Sequence, residues 1–600
     1  MKKKIVLLAF LLVYSYAFSA PLENIPVTVT QPDGVVLNIF ASGDEFYNWL
    51  HDKDFYTIVK DGKTGYYVYA ALDNNKIVPT TFIAGRVNPA YTGLQPGVML
   101  PPDEIRKIRN DFFENSPSDM GRAPKKGTIN NLVIFIRFSD QPEYTDLNSY
   151  YKGIFNNDTA GKNSMYNYFK DASYSSLSVI SSFYPVPPGT TVISYQDSHP
   201  RSYYMPYDSA SNPNGYTNQA TREHVLLKDA VNYVASQVPS GLAIDGDNDG
   251  KVDNVVFIVY GATTAWNTLL WPHRWSLYSQ TVNINGKRVY DYNLQVQNSL
   301  ISSGPGVLCH EMTHSLGAPD LYHYTSNGIS PCDKWDLMCS NTNPPQHIGA
   351  YMKWKYATWI DDIPAISTPG IYTLHPLTSS TNNCYKINSP YSSVEYYVVE
   401  YRKKALPFEN TLYGSGLLVY RINTTVSGNS NGPPDEVYIY RPNGTLNTNG
   451  SPSASHFSDL VSRTAINKNT NPTPFLSDGT QGGLNITNVK SYDSVITFTL
   501  GQFTGINEHS SSALNYSLFQ NYPNPFNPET KISFNIKESG FVTLKVYNVL
   551  GKEIASLVNE KLKSGDFDVM FSGENIPSGI YFYKISVNGF SEIKKMVLIK

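Results

Sequence analysis

Cysteine is scarce: this 600-residue chain has four, all between Cys309 and Cys384. A disulfide framework running through the chain is thereby excluded, leaving at most one or two local staples. Cys332 and Cys339 flank Trp335 and Met338 and either pair or stay reduced, and their spacing is not that of a Cys-x-x-Cys metal site. No cysteine precedes Cys309, so an N-terminal thiolate cannot cap a metal ion. Charge is sparse as well, with 16% charged residues, a formal net charge of −3 and no dense basic run. The phosphate-neutralising surface that nucleic-acid binding requires is therefore missing. After the leader, no apolar run approaches the ~20 residues of a spanning helix, so no transmembrane helix is expected in the mature chain.

What is abundant is tyrosine, with 45 copies, a bias that suits a β-rich extracellular protein. The length calls for three or four domains. Met1-Lys-Lys-Lys, the apolar run Ile5 to Phe18 and small residues up to Ala20 read as a secretory signal at 1–19, cut after Ser19. Residues 20–126 hold alternating stretches such as GYYVYAAL (Gly65 to Leu72) and read as a β-rich pro-segment. The basic stretch Arg122 to Lys126 is a candidate processing point.

Residues 127–360 mix apolar strands (Leu132 to Phe138, Val255 to Tyr260) with amphipathic helices near Met165 to Lys170 and Thr221 to Ser236. Residues 361–500 become short alternating strands, as in a β-sandwich, and 501–514 form a polar linker. Residues 515–600 open on prolines at 523, 525 and 528 and continue as about seven short strands of a second sandwich. The fold class expected is multidomain α+β.

The chemistry concentrates in CHEMTHSLGAPDLY, Cys309 to Tyr322. On a helix His310 and His314, four residues apart, project from one face and can share an ion. Glu311 is offset around the helix, where its carboxylate reaches a water on the ion as a general base. Gly317, free to take positive φ, ends the helix and returns the chain so that Asp320 becomes the third ligand. His323 is the rival for that place. A bare H-E-x-x-H arises by chance in about one such chain per hundred, and requiring the Gly and Asp lowers this to a few in a hundred thousand.

This pattern resembles the metzincin metallopeptidases, and most of all the immune inhibitor A family of secreted bacterial peptidases. LVIFIRFSD (132–140), DGDNDGKVDN (245–254), WPHRWSL (271–277), KWDLMCS (334–340) and EYYVVEYRKK (395–404) extend the likeness over roughly 25–500. It implies a metzincin-like zinc peptidase domain followed by β-sandwich domains. It also implies Zn²⁺ held by His310, His314 and Asp320, a zinc-activated water with Glu311 as base, and protein or peptide substrates. The pro-segment would cover the catalytic unit, as in a zymogen, and Met338 would form the methionine turn beneath the metal; the tyrosine often found two residues later is Ser340 here.

The last unit resembles the type A C-terminal sorting domain of the type IX secretion system, through NYPNPFNP, VYNVLGKEI, PSGIY and the KMVLIK tail. Export through the Sec and type IX machineries, by way of the periplasm, would leave the chain secreted or attached to the cell surface. Asp245, Asp247, Asp249 and Asp253 alternate around Gly250 as oxygen ligands for Ca²⁺ do, although the loop is not an EF-hand because Val256 stands where the bidentate Glu would be. The rival functional class is a catalytically inactive cell-surface binding protein on a peptidase scaffold.

Overall fold

The computed structural model describes residues 22–43, 47–101, 103–105, 107, 123–209, 212–262, 269–324, 328–501, 506–510, 515–573 and 576–600. The expected signal, 1–19, lies outside them. Strands hold 36% of the chain and helices 15%, so β-structure dominates. None of the described helices is long and apolar enough to cross a membrane.

The N-terminal unit is a six-stranded antiparallel meander in sequence order, from Leu22–Thr30 to Lys76–Ile83. Ala123, the next described residue after 107, is buried and donates its backbone N–H to the Ser315 carbonyl at 2.9 Å. Lys125 O accepts from Trp359 Nε1 at 2.9 Å. Within the processing point expected between Arg122 and Lys126, Ala123 is packed and Lys126 is exposed, and Arg122 lies outside the described residues.

Four long parallel strands build the central sheet, in the order Asp291–Val296, Val255–Val259, Gly127–Arg137, Leu177–Tyr184, and the two-residue strand Tyr195–Gln196 also lies parallel to Gly127–Arg137. The antiparallel strand His273–Ser276 closes one edge. A parallel sheet is covered on both faces, so its strands read as continuous apolar runs, as LVIFIRF and VVFIV do. Val133 and Phe135 enter one core with the helices Asn148–Asn156, Met165–Ala172 and Pro305–Ser315, whereas Leu132, Ile134 and Ile136 meet the helix Gln219–Val234 across the other face.

The pattern change near residue 360 is not a boundary in the packing. In the strands Glu395–Arg402 and Gly416–Asn423 every residue is buried. Tyr397, Val399, Leu417 and Val419 face the sandwich interior, but Tyr396, Val398, Leu418, Tyr420 and Ile422 belong to the same core as Met312, Met338 and Tyr351. Buried charge ties the joint. Arg402 donates from Nε and Nη2 to the two oxygens of Glu409, each at 2.6 Å, and from Nη1 to the Trp335 carbonyl. Glu400 accepts the Ala350 N–H at 2.7 Å. A buried pair stripped of one partner is strongly destabilising, so this joint is stable only when complete.

The terminal unit packs two four-stranded sheets around Phe534, Leu544, Val569, Tyr583 and Met596. Seven of its strands lie in 515–600, as expected. The eighth, Ile506–Ser510, comes from the stretch read as a linker and pairs antiparallel with Gly565–Ser572. The unpaired edge of that sheet is what recruits it.

All four cysteines are free and buried, so the bridge considered between Cys332 and Cys339 is absent. Cys332 Sγ donates to the Val437 carbonyl at 3.4 Å and Cys339 Sγ meets Ser330 Oγ at 3.5 Å.

A fragment spanning 123–360 is predicted to be molten or insoluble, whereas one spanning 123–500 unfolds cooperatively. A single sharp thermal transition for the shorter fragment would contradict the shared core.

Candidate metal centre

The motif helix Pro305–Ser315 begins with proline at its first position, where the missing N–H has no helical acceptor to lose, and is buried almost throughout. A polar chain fixes it to the sheet. Asn131 Nδ2 donates to Ser181 Oγ (2.9 Å), Asn254 Nδ2 to Asn131 Oδ1 (2.7 Å) and Asn293 Nδ2 to Asn254 Oδ1 (2.8 Å). Ser315 Oγ then donates to Asn254 Oδ1 at 3.2 Å. The chain crosses all four long parallel strands and ends on the helix, one residue beyond His314.

Gly317 has φ +99° and donates to the His314 carbonyl at 2.8 Å, turning the chain as its missing Cβ allows. Three ligand-type atoms converge below the turn. His310 Nε2 and His314 Nε2 are 3.0 Å apart, and Asp320 Oδ1 is 3.2 Å from each. Two ligands of a tetrahedral zinc with bonds of 2.0–2.1 Å stand about 3.3 Å apart, so the triangle has the size the ion requires. Asp320 Oδ1 is buried without a hydrogen-bond partner, the state of an atom reserved for a cation.

The opposite ring nitrogens are committed. His310 Nδ1 donates to the Leu337 carbonyl at 3.0 Å and His314 Nδ1 to the Ala318 carbonyl at 2.8 Å. A carbonyl only accepts, so each Nδ1 carries a proton, and in the neutral rings both Nε2 lone pairs face the centre. Burial alone would lower the His314 pKa, but the charge of the Asp320 carboxylate 3.2 Å away outweighs it and raises the value to about 9. The same histidines hold the Asp320 carboxyl far below its usual range despite burial. Glu311 is buried on the same helix, and no protein hydrogen bond among the described residues engages its carboxylate.

Residues 258–352 match the family model of the immune inhibitor A peptidase M6 catalytic domain, and 520–600 that of the secretion system C-terminal sorting domain. This chain carries an immune inhibitor A catalytic segment and a type IX sorting domain. The sorting domain marks it as secreted or attached to the cell surface. No curated protein matches it.

Among solved structures, one described as PorZ, an essential bacterial surface component of the type-IX secretion system of Porphyromonas gingivalis, aligns at 16% identity, covering 36% of this chain and 22% of that one, with TM-score 0.12. A pullulanase from Bacillus acidopullulyticus aligns at 11% identity, covering 40% and 31%, with TM-score 0.11. The chain thus spans under a third of either structure, and such scores carry no argument about fold.

Within the M6 segment, His323 Nε2 is bonded to Asp435 Oδ1 and stands outside the triangle. Met338 is fully buried in the core that holds Leu308 and Met312. Its turn is pinned by Asp336, whose carboxylate accepts the N–H groups of Met338 (2.8 Å) and Gly349 (2.7 Å). The turn in turn offers Leu337 O to His310, and Met338 O to the N–H of Leu321 at 2.8 Å.

Sequence reasoning missed Tyr324, whose hydroxyl donates to Asp320 Oδ2, although its place four residues after Asp320 in DLYHY was a usable signal. It also missed the asparagine chain, which carries no local signature.

Ahead of the M6 segment, the acidic loop brings three of its four expected carboxylates together, those of Asp245, Asp247 and Asp253, with oxygens within 4.8 Å of one another. Asp249 is turned away, bonded to the Lys251 N–H at 2.8 Å and to its ammonium at 3.1 Å. Asp245 Oδ1 and Asp253 Oδ2 are buried without partners. Burial, joined by repulsion from Asp247 and Asp245, lifts the Asp253 carboxyl to about 7 against the Gly246 N–H.

Replacing Asp320 by Ala is predicted to abolish stoichiometric zinc in the purified protein, whereas His323→Ala retains it. Loss of zinc in the second variant and not the first would reverse the assignment.

Proposed function

We propose that the protein is a secreted zinc endopeptidase that hydrolyses peptide bonds in proteins. The observation that carries this reading is the buried, partnerless Asp320 Oδ1 standing 3.2 Å from both imidazole nitrogens on a helix that also bears Glu311. The peptidase M6 match over the same residues supports it. The sheet with its antiparallel edge strand beside the motif helix, and the turn at Met338, support a metzincin-like arrangement.

His310, His314 and Asp320 would hold Zn²⁺, and three protein ligands leave an open position, as catalytic zinc requires. When bound, the ion supplies Lewis acidity, acidifying a water and polarising the scissile carbonyl. Glu311 takes a proton from the attacking water and later delivers one to the departing amine. Burial of its carboxylate keeps bulk water from competing for that proton. Tyr324 draws charge from Asp320 Oδ2, offsetting the loss of acidity that an anionic ligand imposes on a metal. The Sec and type IX machineries are the export partners this reading assigns, and the N-terminal meander is its pro-segment.

For the acidic loop we read a calcium site of Asp245, Asp247 and Asp253, without Asp249. Two partnerless carboxylate oxygens and the raised Asp253 pKa are what a hard cation would relieve.

Glu311→Gln is expected to keep one zinc per chain and to lose proteolysis by at least about a hundredfold, within the range of general-base loss. Cleavage of a protein substrate by the zinc-loaded variant at the wild-type rate would refute the role. A calcium-selective chelator that leaves zinc in place is expected to lower the melting temperature, and an unchanged melting curve would remove the calcium site.

A further inference from the structure

We propose that the loop joining strands Gly416–Asn423 and Val437–Ile439 belongs to the metal centre, with Asn429 as the residue that positions Asp320. This rests on the zinc reading above and extends it to a segment of the chain beyond residues 258–352, the stretch that matches the peptidase M6 model.

Asn429 is fully buried and engages both arms of its side chain. Its backbone N–H donates to the Asp320 carbonyl at 2.9 Å. Its Nδ2 donates to the Leu321 carbonyl at 3.0 Å and to the Val437 carbonyl at 2.7 Å, and its Oδ1 accepts the Val437 N–H at 3.1 Å. One amide therefore clamps the ligand segment Asp320–Leu321 to a strand of the sandwich. Further along, the same loop grips again: Tyr324 N–H donates to the Ser430 carbonyl at 3.2 Å, and His323 Nε2 meets Asp435 Oδ1.

The approach is close enough to need glycine. A Cβ on Gly428, which has φ +67°, would lie 2.8 Å from Pro319 Cβ and 3.0 Å from the Asp320 carbonyl oxygen, and one on Gly432 would lie 2.6 Å from His323 Nε2. His310 and His314 are set by helix geometry and their own carbonyl partners. Asp320 sits beyond the Gly317 bend on irregular chain, where local structure does not fix a carboxylate to the tolerance a metal demands. The sandwich loop supplies that constraint, and Asn429 is a positioning residue that touches neither ion nor substrate.

The test compares wild type with Asn429→Asp and Gly428→Ala in the full chain. Asn429→Asp puts a carboxylate against the Leu321 and Val437 carbonyls in place of two donors, and Gly428→Ala pushes on Pro319 and Asp320 while leaving Asn429 intact. Orienting partners of this kind are worth roughly 10–100-fold in metal affinity. Zinc release to a chromogenic chelator is expected to speed up by at least about tenfold in each variant, in that same range. The visible d–d bands of the Co²⁺-substituted forms are expected to change shape, and the rise in melting temperature on adding zinc to shrink.

Hydrogen exchange on wild type reads the coupling without any substitution. Zinc loading is expected to protect 424–436 together with 316–324. A folded variant with wild-type zinc release and an unchanged Co²⁺ spectrum would overturn the proposal, as would protection confined to 316–324. If wild type binds no zinc, the failure belongs instead to the proposed function.

Discussion

Two imidazole lone pairs and one carboxylate oxygen, all buried and all aimed at one point, form an arrangement that requires positive charge. Each group is held there from behind: His310 by Leu337 O, His314 by Ala318 O, and Asp320 by the Tyr324 hydroxyl. In the neutral rings both protons sit on Nδ1, and nothing within the triangle then donates. The raised His314 pKa is the same requirement expressed with a proton as the cation. A divalent ion would meet it with charge to spare and displace that proton, coupling metal binding to pH and to folding.

The rest of the fold follows from keeping that point fixed. The helix is held to the sheet by the asparagine chain that ends at Ser315, and the entering chain adds the bond from Ala123. The floor is fixed by Asp336 beneath Met338, and that turn is secured by Arg402 gripping the Trp335 carbonyl. Glu409 neutralises Arg402 and also accepts the His347 N–H at 3.0 Å. Two segments far apart in sequence, KWDLMCS and EYYVVEYRKK, thus belong to one buried network. The sandwich and the central sheet share one body, and the sandwich's inward sheet face is a wall of the core that holds Met312 and Met338.

Much of this was legible because it is local. The four-residue spacing of His310 and His314, the bend at Gly317 and the apolar runs of the parallel strands depend on contacts within a few residues, and the structure places each within a few residues of its expected position. The seven strands after Asn515 follow from period-2 alternation for the same reason. The illegible parts are non-local. YYVVEYR shows no sign that both its faces are buried, because buried Glu400 and Arg402 read as solvent-facing until Ala350 and Glu409 are found beside them. Asn429 lies 108 residues from Leu321 in sequence and looks like any loop asparagine. Asp249 counted as a ligand on spacing, but Lys251 captures it. The polar stretch before Asn515 reads as a linker, whereas the pairing of 506–510 depends on a sheet edge formed about sixty residues later.

The central claim is a zinc ion bound by two imidazoles and one carboxylate, and X-ray absorption at the zinc edge of the mature protein tests it most directly. The account predicts one zinc per chain with only nitrogen and oxygen neighbours at about 2.0–2.2 Å, and multiple scattering from two imidazole rings. A sulfur neighbour, a third imidazole, or a folded protein holding no zinc after resupply would contradict it.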